Sequence, residues 1–100
     1  MITICATISP TKNIRAMSRN IIGQENITEI FLNTPINVCE KRDVKGLYRK
    51  ARVGDITNFT GVSAKYEEPT NADLTIDTSL VELEESIKMI MQLIIAKIKD

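Results

Sequence analysis

The chain has 100 residues, of which 43% are hydrophobic and 26% are charged, with four glycines and three prolines. This composition is typical of one globular domain or part of one, and it excludes collagen-like and low-complexity proteins. The sequence contains no histidine, so it lacks the commonest general base and a common zinc ligand. Its two cysteines, Cys5 and Cys39, are too few for a disulfide framework, which favours a reducing, cytoplasmic setting.

The charges are unevenly distributed although the net charge is zero. Residues 1–53 carry nine Lys or Arg and four Asp or Glu, a balance of +5, whereas residues 54–100 carry four and nine, a balance of −5. The first half is therefore suited to an anionic ligand, and the chain as a whole is not. The longest apolar stretch, Met89–Ala96, is too short to cross a bilayer, so no membrane association is expected.

The first part of the chain is predicted to alternate strands and helices. The β-branched residues of Ile2–Ile8 predict a strand buried on both faces. Apolar residues recur at helical spacing over Thr11–Ile22, and Gly23 is expected to end this helix as its C-cap. A second strand is predicted over Ile27–Leu32.

Two short helices and a loop are predicted next. Thr34 followed by Pro35 forms a hydroxyl N-cap and a proline in the first turn, which predicts a helix that runs to about Arg42. A second short helix is predicted over Gly46–Val53. Residues 55–71 carry turn formers without periodicity, which indicates a surface loop, and such long loops are often functional.

A short strand over Asp73–Asp77 and a long helix complete the predicted elements. Ser79 and Glu82 have the spacing of a capping box for that helix. Its apolar surface is wider than one stripe, so we expect it to contact protein on two sides, within the fold or across a dimer. The alternation of strands and helices predicts an α/β protein with a parallel sheet, and three strands suggest the second half of a larger nucleotide-binding fold.

The segment Glu40–Arg52 is the most informative part of the sequence. It contains six Lys or Arg against two acidic residues, and Gly46 and Gly54 punctuate it. A basic helix between two glycine pivots has the composition of a lid that closes over phosphates. The alternative is a solvated amphipathic helix that turns Leu47 and Ala51 inward.

Two further segments are candidates for ligand contacts. The ring of Phe59 lies in the polar run Asn58–Gly61, where it could stack on a base or simply anchor the loop to the core. The run Ile8–Pro10 follows the first predicted strand, where ligands of open α/β sheets bind. A turn that merely ends the strand is the alternative there.

The run CEKRDVKGLYRKAR, Cys39–Arg52, closely resembles the lid signature of adenylyl-sulfate kinases. Upstream, Ile8–Pro10 and Arg15–Arg19 resemble the family's segment after its central strand. The resemblance covers nearly the whole chain, and downstream it continues through Gly54–Ile56, Asn58–Val62, Tyr66–Pro69, Asp73–Leu74 and Asp77–Thr78.

The resemblance implies a P-loop nucleoside-kinase-like fold, a three-layer α/β sandwich with a parallel sheet that is incomplete here. Residues 1–100 would be the carboxyl-terminal part of a single kinase domain, with the lid at about 43–62. The family transfers the γ-phosphoryl group of ATP, with Mg²⁺, to the 3′-hydroxyl of adenosine 5′-phosphosulfate. The product, 3′-phosphoadenylyl sulfate, is the activated form of sulfate.

The resemblance also implies roles for individual residues in binding adenosine 5′-phosphosulfate. Ile8 and Ser9 would contact this nucleotide, and Lys45 would reach its anionic groups when the lid closes. Asn58 and Phe59 would hold its adenine, with the Phe59 ring as one stacking face.

A second set of residues is implied for ATP. Arg42 would lie near the ATP adenine, and the corner from Thr78 to Leu80 would border the same base. Lys50 and Arg52 match basic lid positions that would neutralise charge.

The sequence departs from the family's pattern in one decisive respect. No G-x-x-x-x-G-K-[ST] motif occurs in these 100 residues. In the family this loop lies upstream of the matching segment. It binds the phosphates and supplies the side-chain hydroxyl that coordinates Mg²⁺. We therefore expect the Mg²⁺ ligands upstream and little activity from this chain alone. Thr11 also replaces the family's usual aromatic residue after Ser-Pro.

Two other functions are compatible with the sequence. The chain could be a kinase remnant that dimerises or docks through its last helix without catalysis. As protein partners we expect a second copy of the chain, in a homodimer, or the missing half of the kinase. Nucleic-acid binding through the basic helix is a weaker hypothesis, because the net charge is zero and the loop segment Asn58–Gly61 offers one aromatic residue for stacking.

Overall fold

The computed structural model describes residues 1–98 and shows an α/β protein with a parallel strand pair. Within these residues, Ile30 pairs with Leu74 and Leu32 pairs with Ile76. The predicted fold class is confirmed. The elements in chain order are α1 (Lys12–Ile22), a 3-10 helix (Gln24–Asn26), β1 (Ile30–Leu32), α2 (Ile36–Arg42), α3 (Leu47–Arg52), β2 (Leu74–Ile76) and α4 (Leu83–Ile98).

The chain folds into two compact units. The first consists of residues 1–27 and 43–70 and contains α1 and α3. The second consists of residues 28–42 and the chain from Asn71 onward, and it contains both strands with α2 and α4. In the part of the chain that the structure describes, no helix is long and apolar enough to cross a membrane.

Hydrogen bonds beyond each end of the strands fix the register of the sheet. The Asp73 carboxylate accepts the Glu29 backbone N–H at 2.7 Å, and the Glu29 carbonyl accepts the N–H of Asp73 at 2.9 Å. At the other end the Asn33 N–H donates to the Ile76 carbonyl at 2.7 Å. Because both ends are tied, a slip of one residue would break bonds at each end.

The prediction of a strand at Ile2–Ile8 is wrong for the described chain. These residues have no regular secondary structure, and Ile2, Ile4 and Ile8 are exposed. An extended segment becomes a strand only when a neighbouring strand accepts its backbone hydrogen bonds. Within residues 1–98 the parallel ladder joins β1 and β2 only.

The first helix forms where it was predicted. The Thr11 hydroxyl accepts the Ile14 N–H at 3.2 Å and so caps the first turn of α1. Gly23, at φ 98°, ends the helix, and its N–H donates to the Arg19 carbonyl at 2.8 Å. The positive φ explains why glycine stands at this position.

The predicted cap of the last helix is wrong. Ser79 does not cap the helix, because its N–H and its hydroxyl both donate to the Asp77 carboxylate. The N–H groups of Leu80 and Val81 donate to the Asp77 carbonyl at 3.1 Å, which closes a turn before α4 begins at Leu83. A short polar side chain often bonds its own backbone in this way in place of a helix end.

We predict that Ile76→Ala destabilises the second unit by at least about 2 kcal/mol, because the Ile76 side chain is 1% exposed and its removal leaves a cavity. Urea denaturation followed by circular dichroism measures this loss. The neighbouring side chain of Thr75 is exposed, so Thr75→Ala is the matched control and should cost less than about 1 kcal/mol. Equal midpoints for the two variants would contradict the prediction.

Candidate functional site

The carboxyl ends of the two strands carry a polar cluster formed by Thr34, Arg42 and Thr78. The hydroxyl oxygens of Thr34 and Thr78 lie 2.6 Å apart, and the Thr78 N–H donates to the Thr34 hydroxyl at 3.0 Å. Arg42, the last residue of α2, donates to the Thr78 hydroxyl at 2.7 Å and to the Thr78 carbonyl at 3.1 Å. The cluster thus joins the end of α2 to the loops after both strands.

Sequence reasoning placed Arg42 and Thr78 at one adenine, and the structure brings these two side chains into direct contact. Leu80 lies two residues further on, in the turn after β2, with its side chain 83% exposed. The planar guanidinium of Arg42 and an exposed leucine can both lie against the face of a base. Thr34 was predicted only as a helix cap, and its hydroxyl bonds Thr78 in the structure.

The beginning of α3 is organised by Asp43. The Asp43 carboxylate accepts the N–H of Tyr48 at 3.0 Å and that of Arg49 at 3.1 Å, and its carbonyl accepts the Gly46 N–H at 2.9 Å. Gly46 has φ 69°, a conformation that favours glycine. The acidic side chain therefore satisfies backbone donors at the start of a helix that otherwise carries basic residues.

The basic side chains of this segment face solvent. Lys45 lies in the turn from Asp43 to Gly46, and Lys50 and Arg52 lie on α3, all three exposed. Ala51 is 6% exposed and lies inward, as the alternative of a solvated amphipathic helix predicted. Leu47, which the same alternative placed inward, is 38% exposed.

Phe59 is half-buried and packs against Tyr48. The two ring centroids are 5.0 Å apart with an interplanar angle of 73°, an edge-to-face contact. Asn58, the residue before it, has φ 53°, which an asparagine tolerates better than most residues. Tyr48 was not among the predicted site residues, although the scarcity of aromatic residues in the chain could have pointed to it.

Ile8 and Ser9 lie before α1 in the same unit as Phe59. Ile8 is exposed, and Ser9 adopts φ 39° with its hydroxyl 2.8 Å from that of Thr7. The Ser9 carbonyl accepts a hydrogen bond from Arg15 Nη1 at 2.6 Å. Sequence reasoning assigned no role to Arg15.

The predicted site residues thus divide between the two units in the same way as the two nucleotides they were assigned to. The first unit contains the residues assigned to adenosine 5′-phosphosulfate and the basic lid positions, which are Ile8, Ser9, Lys45, Lys50, Arg52, Asn58 and Phe59. The second unit contains those assigned to the ATP adenine, which are Arg42, Thr78 and Leu80.

The described residues do not fit a magnesium site. Within residues 1–98, no group of three or more Asp, Glu, Cys or His side chains is placed to hold a metal ion. The carboxylate of Asp43 is occupied by backbone N–H groups, and that of Asp77 by Ser79.

We predict that Asp43→Ala weakens α3, because the N–H groups of Tyr48 and Arg49 lose their acceptor. A lost cap costs about 1 kcal/mol, which corresponds to roughly fivefold faster exchange of these two amides. Amide hydrogen exchange followed by NMR measures the effect. Asp55→Ala, at an exposed aspartate just after α3, is the control and should leave both rates unchanged. Unaltered rates in Asp43→Ala would show that the carboxylate does not cap the helix.

Comparison with known proteins identifies the family. A family model described as adenylylsulphate kinase matches residues 1–77. The adenylyl-sulfate kinase of Bacteroides thetaiotaomicron is 52% identical over 99 residues, which are 99% of this chain and 49% of that protein. The adenylyl-sulfate kinase of Pseudomonas aeruginosa is 48% identical over 91 residues, 91% of this chain and 46% of the relative.

A solved structure shows the same similarity in three dimensions. The structure of the Mycobacterium tuberculosis APS kinase CysC in complex with AMPPNP and APS superposes with a TM-score of 0.81 at 39% sequence identity. The match covers 88% of this chain and 51% of that one. The chain spans about half the length of the curated relatives it matches. On the strength of the family model and these relatives, the chain belongs to the adenylyl-sulfate kinase family.

Proposed function

We propose that residues 1–100 are the carboxyl-terminal part of a single adenylyl-sulfate kinase domain, with a lid at about residues 43–62. The kinase would transfer the γ-phosphoryl group of ATP to the 3′-hydroxyl of adenosine 5′-phosphosulfate and make 3′-phosphoadenylyl sulfate, the form of sulfate activated for assimilation. The observation that carries the proposal is the edge-to-face contact of Tyr48 with Phe59, within a segment whose basic side chains are exposed. This segment combines an aromatic ring that can stack on a base with cations that can bind phosphate.

The first unit supplies the contacts that we propose for adenosine 5′-phosphosulfate. The Phe59 ring, braced on its edge by Tyr48, would stack on the adenine, and Asn58 would border it. Ile8 and Ser9 would contact the same nucleotide at the turn before α1. The similarity to a kinase whose structure contains APS supports this assignment.

The lid residues would act by charge. Lys45 would reach the anionic groups of the substrate, and Lys50 and Arg52 would neutralise the charge that develops during phosphoryl transfer. Gly46 and Gly54, with φ of 69° and 88°, stand at the two ends of α3 and are suited to act as pivots. Electrostatic stabilisation and positioning supply most of the catalysis in phosphoryl transfer.

The second unit supplies the contacts that we propose for ATP. Arg42, held by Thr78, would lie against the ATP adenine, and Leu80 would border the same base. The similar kinase was solved with AMPPNP, which supports a nucleotide as phosphoryl donor. When bound with ATP, Mg²⁺ would neutralise the donor phosphates; its ligands would lie outside these residues. A cytoplasmic setting belongs to the proposal and is supported by two free cysteines.

We predict that the chain binds adenosine 5′-phosphosulfate and that Phe59→Ala weakens this binding by about tenfold or more, because a base stacked on an aromatic ring contributes roughly 1–3 kcal/mol. Lys45→Ala should weaken it by about tenfold through the loss of a charge-assisted hydrogen bond. Isothermal titration calorimetry measures both. Lys65→Ala, at an exposed lysine of the same unit, is the control for Lys45 and should bind normally. Unchanged affinity in Phe59→Ala would refute the stacking role.

We predict that these 100 residues alone show no measurable ATP-dependent phosphorylation of adenosine 5′-phosphosulfate, since they contain no phosphate-binding loop. A coupled assay of ADP release measures turnover. The control adds the amino-terminal half of the Bacteroides thetaiotaomicron kinase as a separate polypeptide, which should restore a signal if the halves associate. Robust turnover by the chain alone would overturn the prediction.

A second function is favoured by the outer face of α4. Met89, Ile90, Leu93 and Ile94 are partly covered, whereas a second apolar stripe is exposed, formed by Leu83, Ile87, Met91, Ile95 and Ile98. A helix with two apolar faces suits a non-catalytic docking or dimerisation module. A concentration-dependent dimer in size-exclusion chromatography, together with no binding of either nucleotide, would favour the module over the kinase.

A further inference from the structure

Arg15 on α1 connects two segments that are far apart in the chain. Its Nη1 donates to the Ser9 carbonyl at 2.6 Å, and its Nη2 donates to the Glu67 carbonyl, 52 residues away in sequence. Its guanidinium carbon also lies 5.6 Å from the centroid of the Tyr66 ring, a cation–π contact. One side chain therefore holds the turn before α1 and the segment after the Phe59 loop.

Glu67 closes this arrangement from the other side. Its N–H donates to the Pro10 carbonyl at 2.7 Å, and its carboxylate accepts the Lys12 N–H at 2.8 Å at the start of α1. An acidic group at that end of a helix is favourable. Arg15 and Glu67 thus fix the same two segments through separate bonds, and the guanidinium is partly buried between them.

The fixed segment continues directly from the Phe59 loop. The Phe59 carbonyl accepts the N–H groups of Val62, Ser63 and Ala64 at 3.1, 2.8 and 2.9 Å. The Phe59 N–H donates to the Ser63 hydroxyl at 2.7 Å. Only Lys65 separates this closed turn from the Tyr66 ring under Arg15. The position of the Phe59 turn therefore depends on where Arg15 holds Tyr66 and Glu67.

Ser9 requires support at the other end. Its φ of 39° lies in the left-handed region, which costs free energy for a residue other than glycine unless surrounding contacts hold it. The hydrogen bond from Arg15 to the Ser9 carbonyl is such a contact. Without it we expect Ser9 to relax toward an extended conformation.

We propose that Arg15 is a positioning residue that sets the distance between the Ser9 turn and the Phe59 loop, the two sides of the adenosine 5′-phosphosulfate contact set. The role in substrate binding rests on the function proposed above. The role in holding the two segments rests on the contacts of Arg15 alone. In this proposal Arg15 acts on the nucleotide only indirectly, through its contacts with Ser9, Tyr66 and Glu67.

The test compares Arg15→Ala and Arg15→Lys with Arg19→Ala, which removes an arginine one helical turn further along α1. The exchange rate of the Glu67 amide, which bonds the Pro10 carbonyl, measures how firmly the two segments are held together. The exchange rate of the Gly23 amide, which bonds the Arg19 carbonyl, measures the stability of α1 itself. In Arg15→Ala we expect the Glu67 amide to exchange about tenfold faster and the Gly23 amide to exchange at an unchanged rate. We also expect the dissociation constant for adenosine 5′-phosphosulfate to rise about tenfold and that for AMPPNP to stay unchanged.

The conservative variant separates positioning from charge. A lysine keeps the cation near Tyr66 but cannot donate to two carbonyls through a rigid fork, so Arg15→Lys should recover only part of both losses. Full recovery of both losses in Arg15→Lys, or an unchanged exchange rate of the Glu67 amide in Arg15→Ala, would overturn the proposal that Arg15 holds the two segments. A tenfold faster Glu67 exchange with unchanged substrate affinity would overturn the role in binding.

The two proposals fail in different ways. If the unaltered chain binds neither nucleotide, the proposed function fails together with the binding role of Arg15, and the Glu67 exchange rates still decide whether Arg15 holds the two segments. If the unaltered chain binds adenosine 5′-phosphosulfate and Arg15→Ala binds it equally well, only the positioning role fails. Circular dichroism of each variant confirms that α1 and α4 remain folded.

Discussion

The parallel pairing of β1 with β2 is the constraint on which the second unit depends. Parallel strands put their carboxyl ends at the same edge, so the loops that follow them meet there. Thr34 and Thr78 are 44 residues apart in sequence, yet their hydroxyl oxygens come within 2.6 Å because each follows a strand of this pair. Arg42 then donates to both the hydroxyl and the carbonyl of Thr78 from the end of α2. The corner proposed for ATP is a direct consequence of this geometry.

In the first unit, polar side chains that bond to the backbone play the corresponding part. Asp43 binds the start of α3, Ser63 closes the Phe59 turn, and Arg15 and Glu67 tie the turn at Ser9 to the far end of that loop. Such bonds hold loops in place where little apolar surface is buried. They leave the cations of the lid segment pointing outward, as a segment that neutralises phosphate charge requires.

Few side chains of this chain are fully covered. Within the described residues, the buried side chains are those of Ala51, Ile76 and Ser86, and both α1 and α4 expose apolar residues. Exposed apolar surface of this extent is typical of a protein–protein interface. This exposed surface agrees with the finding that the chain spans about half the length of its relatives. It is suited both to association with another part of a kinase and to docking through α4.

The sequence by itself determined the first helix with its end and the family. The spacing of apolar residues predicted α1, Gly23 predicted its end, and the run Cys39–Arg52 carried the resemblance that the family model confirms. Only the tertiary structure decided which strands pair, because pairing needs a second segment that periodicity cannot name, and Ile2–Ile8 finds none within the described residues. The same holds for Thr34 and Arg15, whose partners Thr78 and Glu67 are 44 and 52 residues away in sequence. A polar side chain can bond its own backbone or a distant polar group, and the fold selects the partner that is within reach.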